Sequence, residues 1–226
     1  MKKVTVLLLA LGSICHLNAQ KLNNFGGLTE KKVGPKTIKI PYTDVTTYLG
    51  YAAQGNEDEV KDGKKYYYLY LWIPAVAPEL GVRMMSPVGN AKVKNAIESD
   101  EFVENKNSTA YFDTYITLES SGIYNKEGAT LENIQKANWN TLARNDDSGE
   151  MPTNPGGRNY NSLLRYKSQV SDPTKALTAG LYRIGFTTYK TGEVEGTFLA
   201  QIGAPIKLPG VIVTKDISKL IEQLNQ

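Results

Sequence analysis

The chain has 226 residues, with 26 Lys+Arg against 23 Asp+Glu, one Cys and one His. That length suits one domain around one core, and the balanced charge without a basic stripe argues against a nucleic-acid surface. Cys15 and His16 both fall in the first 19 residues. A chain without those residues has no structural disulfide, Cys-rich zinc site, Cys nucleophile or Ser-His-Asp triad.

Residues 1–19 read as an export signal. Lys2 and Lys3 form a positive n-region, residues 4–11 an apolar run, and Ala19 is a small residue before Gln20. The run is too short to span a bilayer of roughly 30 Å, and no later segment comes close. A soluble mature chain of residues 20–226 is expected, with 24 basic and 23 acidic residues and a net charge of +1. Such a protein is exported and is periplasmic, cell-surface or secreted. The alternative is a lipid anchor to the outer membrane at Cys15, which would be the chain's only link to a membrane. A lipidation signal wants a small residue before the Cys and a branched apolar one three before it. Ile14 and Gly12 stand there, so plain secretion is preferred.

Residues 20–35, rich in Asn, Gly and Lys, read as a flexible N-terminal arm. Strand signals then crowd the span 36–213. They fall at 37–40, 46–53, 65–73, 81–86, 110–119, 161–170, 179–189, 194–202 and 211–213, and are rich in Tyr, Val, Ile, Thr and Trp. Asp62-Gly63 and Thr191-Gly192 mark turns in which Gly supplies positive φ. Short strands without alternating long helices predict an all-β protein, a jelly-roll-like antiparallel β-sandwich. Helices are minor. Thr130 caps a short one with Leu131, Ile134 and Ala137 on one side, and Asp172-Pro173 opens a helical turn. Residues 214–226 form a C-terminal amphipathic helix, with Ile217, Leu220, Ile221 and Leu224 in one stripe. A helix this short is marginal alone and should dock on its own domain.

Within 65–73, alternation puts Tyr67, Leu69, Leu71 and Ile73 on a core face and Tyr66, Tyr68, Tyr70 and Trp72 on the other. The second set is either a ligand platform or, by preference, a face covered by loops or the C-terminal helix. Arg83 and Arg183 sit inside apolar strands, and Glu193 and Glu195 flank a turn; structural ion pairs are expected. Trp139 is expected to pack down the acidic loop that follows it.

Two acidic spots stand out. Asp113 lies in an alternating strand between Phe112 and Thr114, and a buried carboxylate there needs a cation, a donor or solvent. Residues 145–150, Asn-Asp-Asp-Ser-Gly-Glu, bunch oxygen-rich side chains on a turn beside Arg144. Calcium takes six to eight oxygens at about 2.3–2.6 Å, which such a turn can help supply, although the spacing is not that of an EF-hand. From the residues alone, a solvated strand face and a solvated acidic turn are the commoner explanations.

Four segments carry a resemblance. YYYLYLWIPAVAPELGVRMMSPVG (66–89), GLYRIGFTTYKTGEVEGTFLAQIG (180–203), YFDTYITL (111–118) and NYNSLLR (159–165) closely resemble the major surface lipoprotein family of spirochaetes, the leptospiral type. The resemblance covers most of the chain after residue 19. It implies a calcium-binding β-sandwich on the cell exterior, linked to adhesion and not to catalysis. It also implies that Asp113, Thr114, Asp146, Asp147 and Tyr160 surround one calcium ion. Asp113, Asp146 and Asp147 would give carboxylate oxygens, Thr114 a hydroxyl or carbonyl, and Tyr160 its backbone carbonyl. Asp113 and Thr114 point to opposite faces of a regular strand, so both reach one ion only at a strand end or bulge, or if one uses its backbone. The family's acidic loop is a long Asp run. Here it holds Asp146 and Asp147 with Glu150 nearby, a reduction in charge that weakens calcium binding.

The function expected from this is an exported calcium-binding surface protein, adhesin-like, that binds extracellular matrix or surface polymers, with a homodimer as a further partner. The alternative is a structural envelope protein with no dedicated ligand. No motif supports an enzyme.

Overall fold

The computed structural model describes residues 29–33, 36–40, 42, 44–89, 91–146 and 160–226. The export signal, Cys15 and Asp147 lie outside the described residues.

The strands in chain order begin with β1 (Thr29–Val33), β2 (Lys36–Ile40), β3 (Asp44–Ala52), β4 (Glu59–Lys61) and β5 (Lys64–Ile73). Next come β6 (Glu79–Met85), β7 (Ile97–Glu98), β8 (Thr114–Ser120) and β9 (Asn140–Asn145). The last are β10 (Asn161–Lys167), β11 (Gly180–Thr188), β12 (Gly196–Ala204) and β13 (Ile212–Thr214). Three short helices join them: α1 (Asp100–Asn105), α2 (Leu131–Gln135) and α3 (Ile217–Leu224).

Two sheets face each other. One runs β10-β6-β12-β3-β7, the other β13-β5-β11-β8-β9 with β4 beside β5. All pairs are antiparallel except β3 with β7. The chain crosses repeatedly between the sheets, so each buries its apolar face against the other, as the predicted β-sandwich requires. The core lies between them. Tyr67, Leu69, Leu71 and Ile73 of β5 are fully buried there with Phe186, Phe198, Ile116 and Leu118. Tyr67 and Phe186 stack at 5.5 Å, and Phe186 meets Phe198 at 4.6 Å.

The Asp62-Gly63 turn joins β4 and β5 as expected. Both residues have positive φ, 53° and 73°, the geometry a two-residue hairpin loop needs. Gly192 is not in the left-handed region, so the β11–β12 connection does not depend on that property. Within the segment read as an arm, β1 pairs with β2 in register from Thr29↔Ile40 to Val33↔Lys36. β4, β7, β9 and α1 have no counterpart among the sequence signals. The first three are short or polar edge elements with little buried apolar surface, so hydrophobic alternation does not reveal them.

α3 docks on its own domain. Asp216 caps it, accepting from the amides of Ser218 and Lys219 at 2.7 and 3.3 Å. Leu220 and Leu224 are buried against Trp72, Ile134 and Leu181. Thr130 caps α2 through Asn133 N–H at 3.2 Å. Ile134 is buried, but Leu131, in the first turn, is 47% exposed. Asp172 closes one turn only, with Lys175 N–H donating to its carbonyl at 2.9 Å.

Candidate functional site

β8 begins at Thr114, not at residue 110 as alternation predicts. The run before it is held by other means. Phe112 N–H donates to the Ser86 hydroxyl at 3.3 Å, which takes that donor out of a ladder. The Phe112 ring is buried against Phe186 and Phe198. At Gly196, φ is +137°, and a Cβ there would stand 2.3 Å from the Ala110 carbonyl oxygen. Only glycine lets β12 start this close to the 110–111 backbone. Asp113 therefore sits at a strand end, half-buried, between the buried Phe112 and Thr114. This is the strand-end position that two neighbouring ligands require.

Three chain segments meet at this corner. Thr114 is fully buried, and its hydroxyl lies 2.8 Å from that of Ser162 on β10. The Ser162 hydroxyl also donates to the Thr114 carbonyl. β9 pairs with β8 through Ile116↔Asn145, and the Asn145 side-chain amide donates to the Leu163 carbonyl of β10. Asp146 follows directly and is half-buried. On the third segment, Ser86 N–H donates to the Tyr160 carbonyl at 3.1 Å. The Tyr160 ring stacks on Tyr111 with centroids 4.9 Å apart and planes at 15°.

Asp113, Thr114, Asp146 and Tyr160 are thus carried to one corner by the start of β8, the end of β9 and the start of β10. The fit to an oxygen-coordinated cation is uneven. Asp113 and Asp146 bring carboxylates. The Thr114 hydroxyl is occupied by Ser162. The Tyr160 carbonyl accepts from the Ser86 N–H. Among the described residues no three His, Cys, Asp or Glu side chains cluster at metal-binding range. Ser162, Asn145, Ser86 and Gly196 were not singled out by sequence reasoning. Asn145 alone lay within a segment already marked for its oxygens.

The aromatic face of β5 is mostly covered. Tyr68 and Trp72 are each 3% exposed, Trp72 packed with Leu220 and Leu224 of α3 and Tyr68 beneath the Arg183 guanidinium. Trp139 packs on Tyr70 at 6.1 Å and lies 4.5 Å from the Arg183 guanidinium; residues 147–150 of the acidic loop it was expected to pack lie outside the described residues. Arg183 forms the expected ion pair, its Nε donating to Glu119 at 2.5 Å, with Glu59 at 3.5 Å and the Tyr68 ring at 3.7 Å. Burial, followed by a hydrogen bond to Glu59, pushes the Tyr68 hydroxyl pKa up. Glu193 pairs with Lys65 at 2.7 Å, and Tyr51 donates to Glu195 at 3.1 Å. Arg83 is fully buried, and desolvation lowers its pKa to about 10.

A family model described as a surface lipoprotein of the Spirochaetales order matches residues 36–213. The chain belongs to this family. The match runs from the start of β2 into β13 and includes all five positions proposed around the cation. No curated protein matches the chain. Membership in the Spirochaetales surface lipoproteins makes this an exported, cell-surface protein. Among the described residues no helix is long and apolar enough to cross a membrane.

Proposed function

We propose that this surface protein binds one calcium ion at the β8–β9–β10 corner and uses the ordered corner to bind extracellular matrix or surface polymers. The supporting observation is the convergence of Asp113, Asp146 and Tyr160 on three strand ends cross-linked through Ser162 and Asn145. Asp113, Asp146 and Asp147 would hold the ion through carboxylates, Tyr160 through its backbone carbonyl, and Thr114 through its hydroxyl or its carbonyl, either of which would exchange its contact with Ser162 for the ion. The ion would neutralise carboxylates brought together at the corner and tie three segments into one surface. Pre-organising that surface lowers the entropic cost of binding a polymer. The proposal is non-catalytic.

Isothermal titration of the full chain with calcium tests it, followed by binding to immobilised matrix polymers in calcium and in chelator. One saturable calcium site and chelator-sensitive polymer binding are expected. Calcium-independent polymer binding would separate adhesion from the ion, and no binding of either would sink the proposal. The structural-envelope alternative loses one of its supports, because the stripe on α3 that could have joined copies is largely buried within the domain.

A further inference from the structure

We propose that the opposite flank of the sandwich is a docking groove for an extended, basic peptide segment, taken up along the free edge of β13. β7 and β13 are the outermost strands of their sheets on one flank, and β10 and β9 on the other. The groove is therefore remote from the β8–β9–β10 corner and does not depend on calcium there.

The groove has a volume of about 490 Å³, within the size range of formed ligand sites. Residues 97–101, from β7 into α1, form one wall. Residues 211–216 with Lys219 and Gln223 form the other. Two sheet edges thus face one opening. Among the described residues β13 has a pairing partner on one side only, with Ile212↔Trp72, Val213↔Leu71 and Thr214↔Tyr70. An open strand edge offers main-chain donors and acceptors that an added extended segment satisfies.

Charge selects the occupant. Glu98, Asp100, Glu101 and Asp216 line the groove against two cations, Lys215 and Lys219. Glu98, Asp100 and Glu101 face solvent, while Lys215 is drawn inward, its ammonium 5.1 Å from the Tyr67 ring centroid. The outward-facing wall is acidic. In an extended segment alternate side chains share a face, so Lys or Arg at every second position would meet that wall. Ile97, 41% exposed, gives the intervening side chains an apolar contact.

The test is fluorescence anisotropy of the full chain with a short labelled peptide alternating lysine with valine, and with its glutamate-for-lysine counterpart. Saturable binding of the lysine peptide is expected, at least about tenfold tighter than the glutamate peptide, since charge complementarity sets specificity. Glu98→Gln with Asp100→Asn, both exposed, should weaken it about tenfold without moving the melting temperature. Amide shifts in nitrogen-15 spectra should concentrate at residues 211–215. Equal binding of both peptides, an unchanged affinity in the double variant, or shifts confined to other elements would overturn the proposal. So would self-association of the chain that the double variant abolishes while neither peptide binds, which would assign the groove to a second copy.

Discussion

Glu119 and Gly196 show how single residues hold the functional face in place. The Glu119–Arg183 pair is nearly buried, with side chains 7% and 11% exposed. Removing one partner of such a pair strands the other charge, at a typical cost of ~3–5 kcal/mol. In Glu119→Ala, Arg183 keeps Glu59 at 3.5 Å and the Tyr68 ring at 3.7 Å, so the loss of unfolding free energy in a urea titration should fall at the lower end of that range, about 3 kcal/mol. A loss no larger than that of an exposed pair such as Lys136–Glu132 would show that solvent reaches Arg183. At Gly196 the backbone sits at φ +137° against the Ala110 carbonyl. Gly196→Ala should cost about 1–3 kcal/mol, the usual scale of strained backbone, and should shift the Phe112 and Asp113 resonances. Unchanged resonances would mean that β12 moves while the corner stays.

At the level of elements, α3 decides whether the aromatic face of β5 is a platform or a floor. Leu220 and Leu224 bury against Trp72 and Leu181. Leu220→Ala should destabilise by ~2–5 kcal/mol, the range for large-to-small core changes. Deleting α3 should shift tryptophan emission to the red as Trp72 meets water; an unshifted spectrum would show that loops alone cover it. Strands with strong alternation were legible in the sequence for the same reason that they are stable: residues 66–73 of β5 place four side chains on each face, and one set fills the core. β9 was not, because Asn140 to Asn145 is a polar edge strand whose pairing is set by β8 and not by its own pattern. The start of β8 was misplaced because Tyr111 and Phe112 continue the alternation by type, while Ser86 and Gly196, distant in sequence, divert their backbone. The acidic residues were legible by composition. Their convergence depends on Ser162 and Asn145, whose contacts are long-range and leave no local mark.

Across the whole molecule, buried tyrosines couple stability to alkaline pH. Burial is the first cause raising Tyr67, to about 12 from 10.0, and it also raises Tyr48, Tyr68, Tyr70 and Tyr182. The neutral phenol is favoured in the folded state, so above pH 10 the unfolded chain loses its protons first. Stability is then full below about pH 10 and falls as pH rises toward 12, by up to ~1.4 kcal/mol per pH unit for each such group. Circular dichroism melts at stepped pH should show that decline, less steep in Tyr67→Phe. A flat profile would mean that the tyrosines titrate in the folded state as in water.

The corner where β8, β9 and β10 meet lies on one flank and the acidic groove on the other, so the sandwich offers two separate surfaces. The claim that matters most is the cation at the corner. Its most direct test is a thermal melt of the protein in excess chelator, repeated in calcium and in magnesium, for the native chain and for Asp146→Ala with Asp147→Ala. Calcium at a hundred times its dissociation constant should add about 2.7 kcal/mol, roughly 5–10 °C for a chain of this size. Magnesium should do less, and the double variant should not respond to calcium. An equal rise in both proteins, or none in either, would contradict a calcium site built on Asp146 and Asp147.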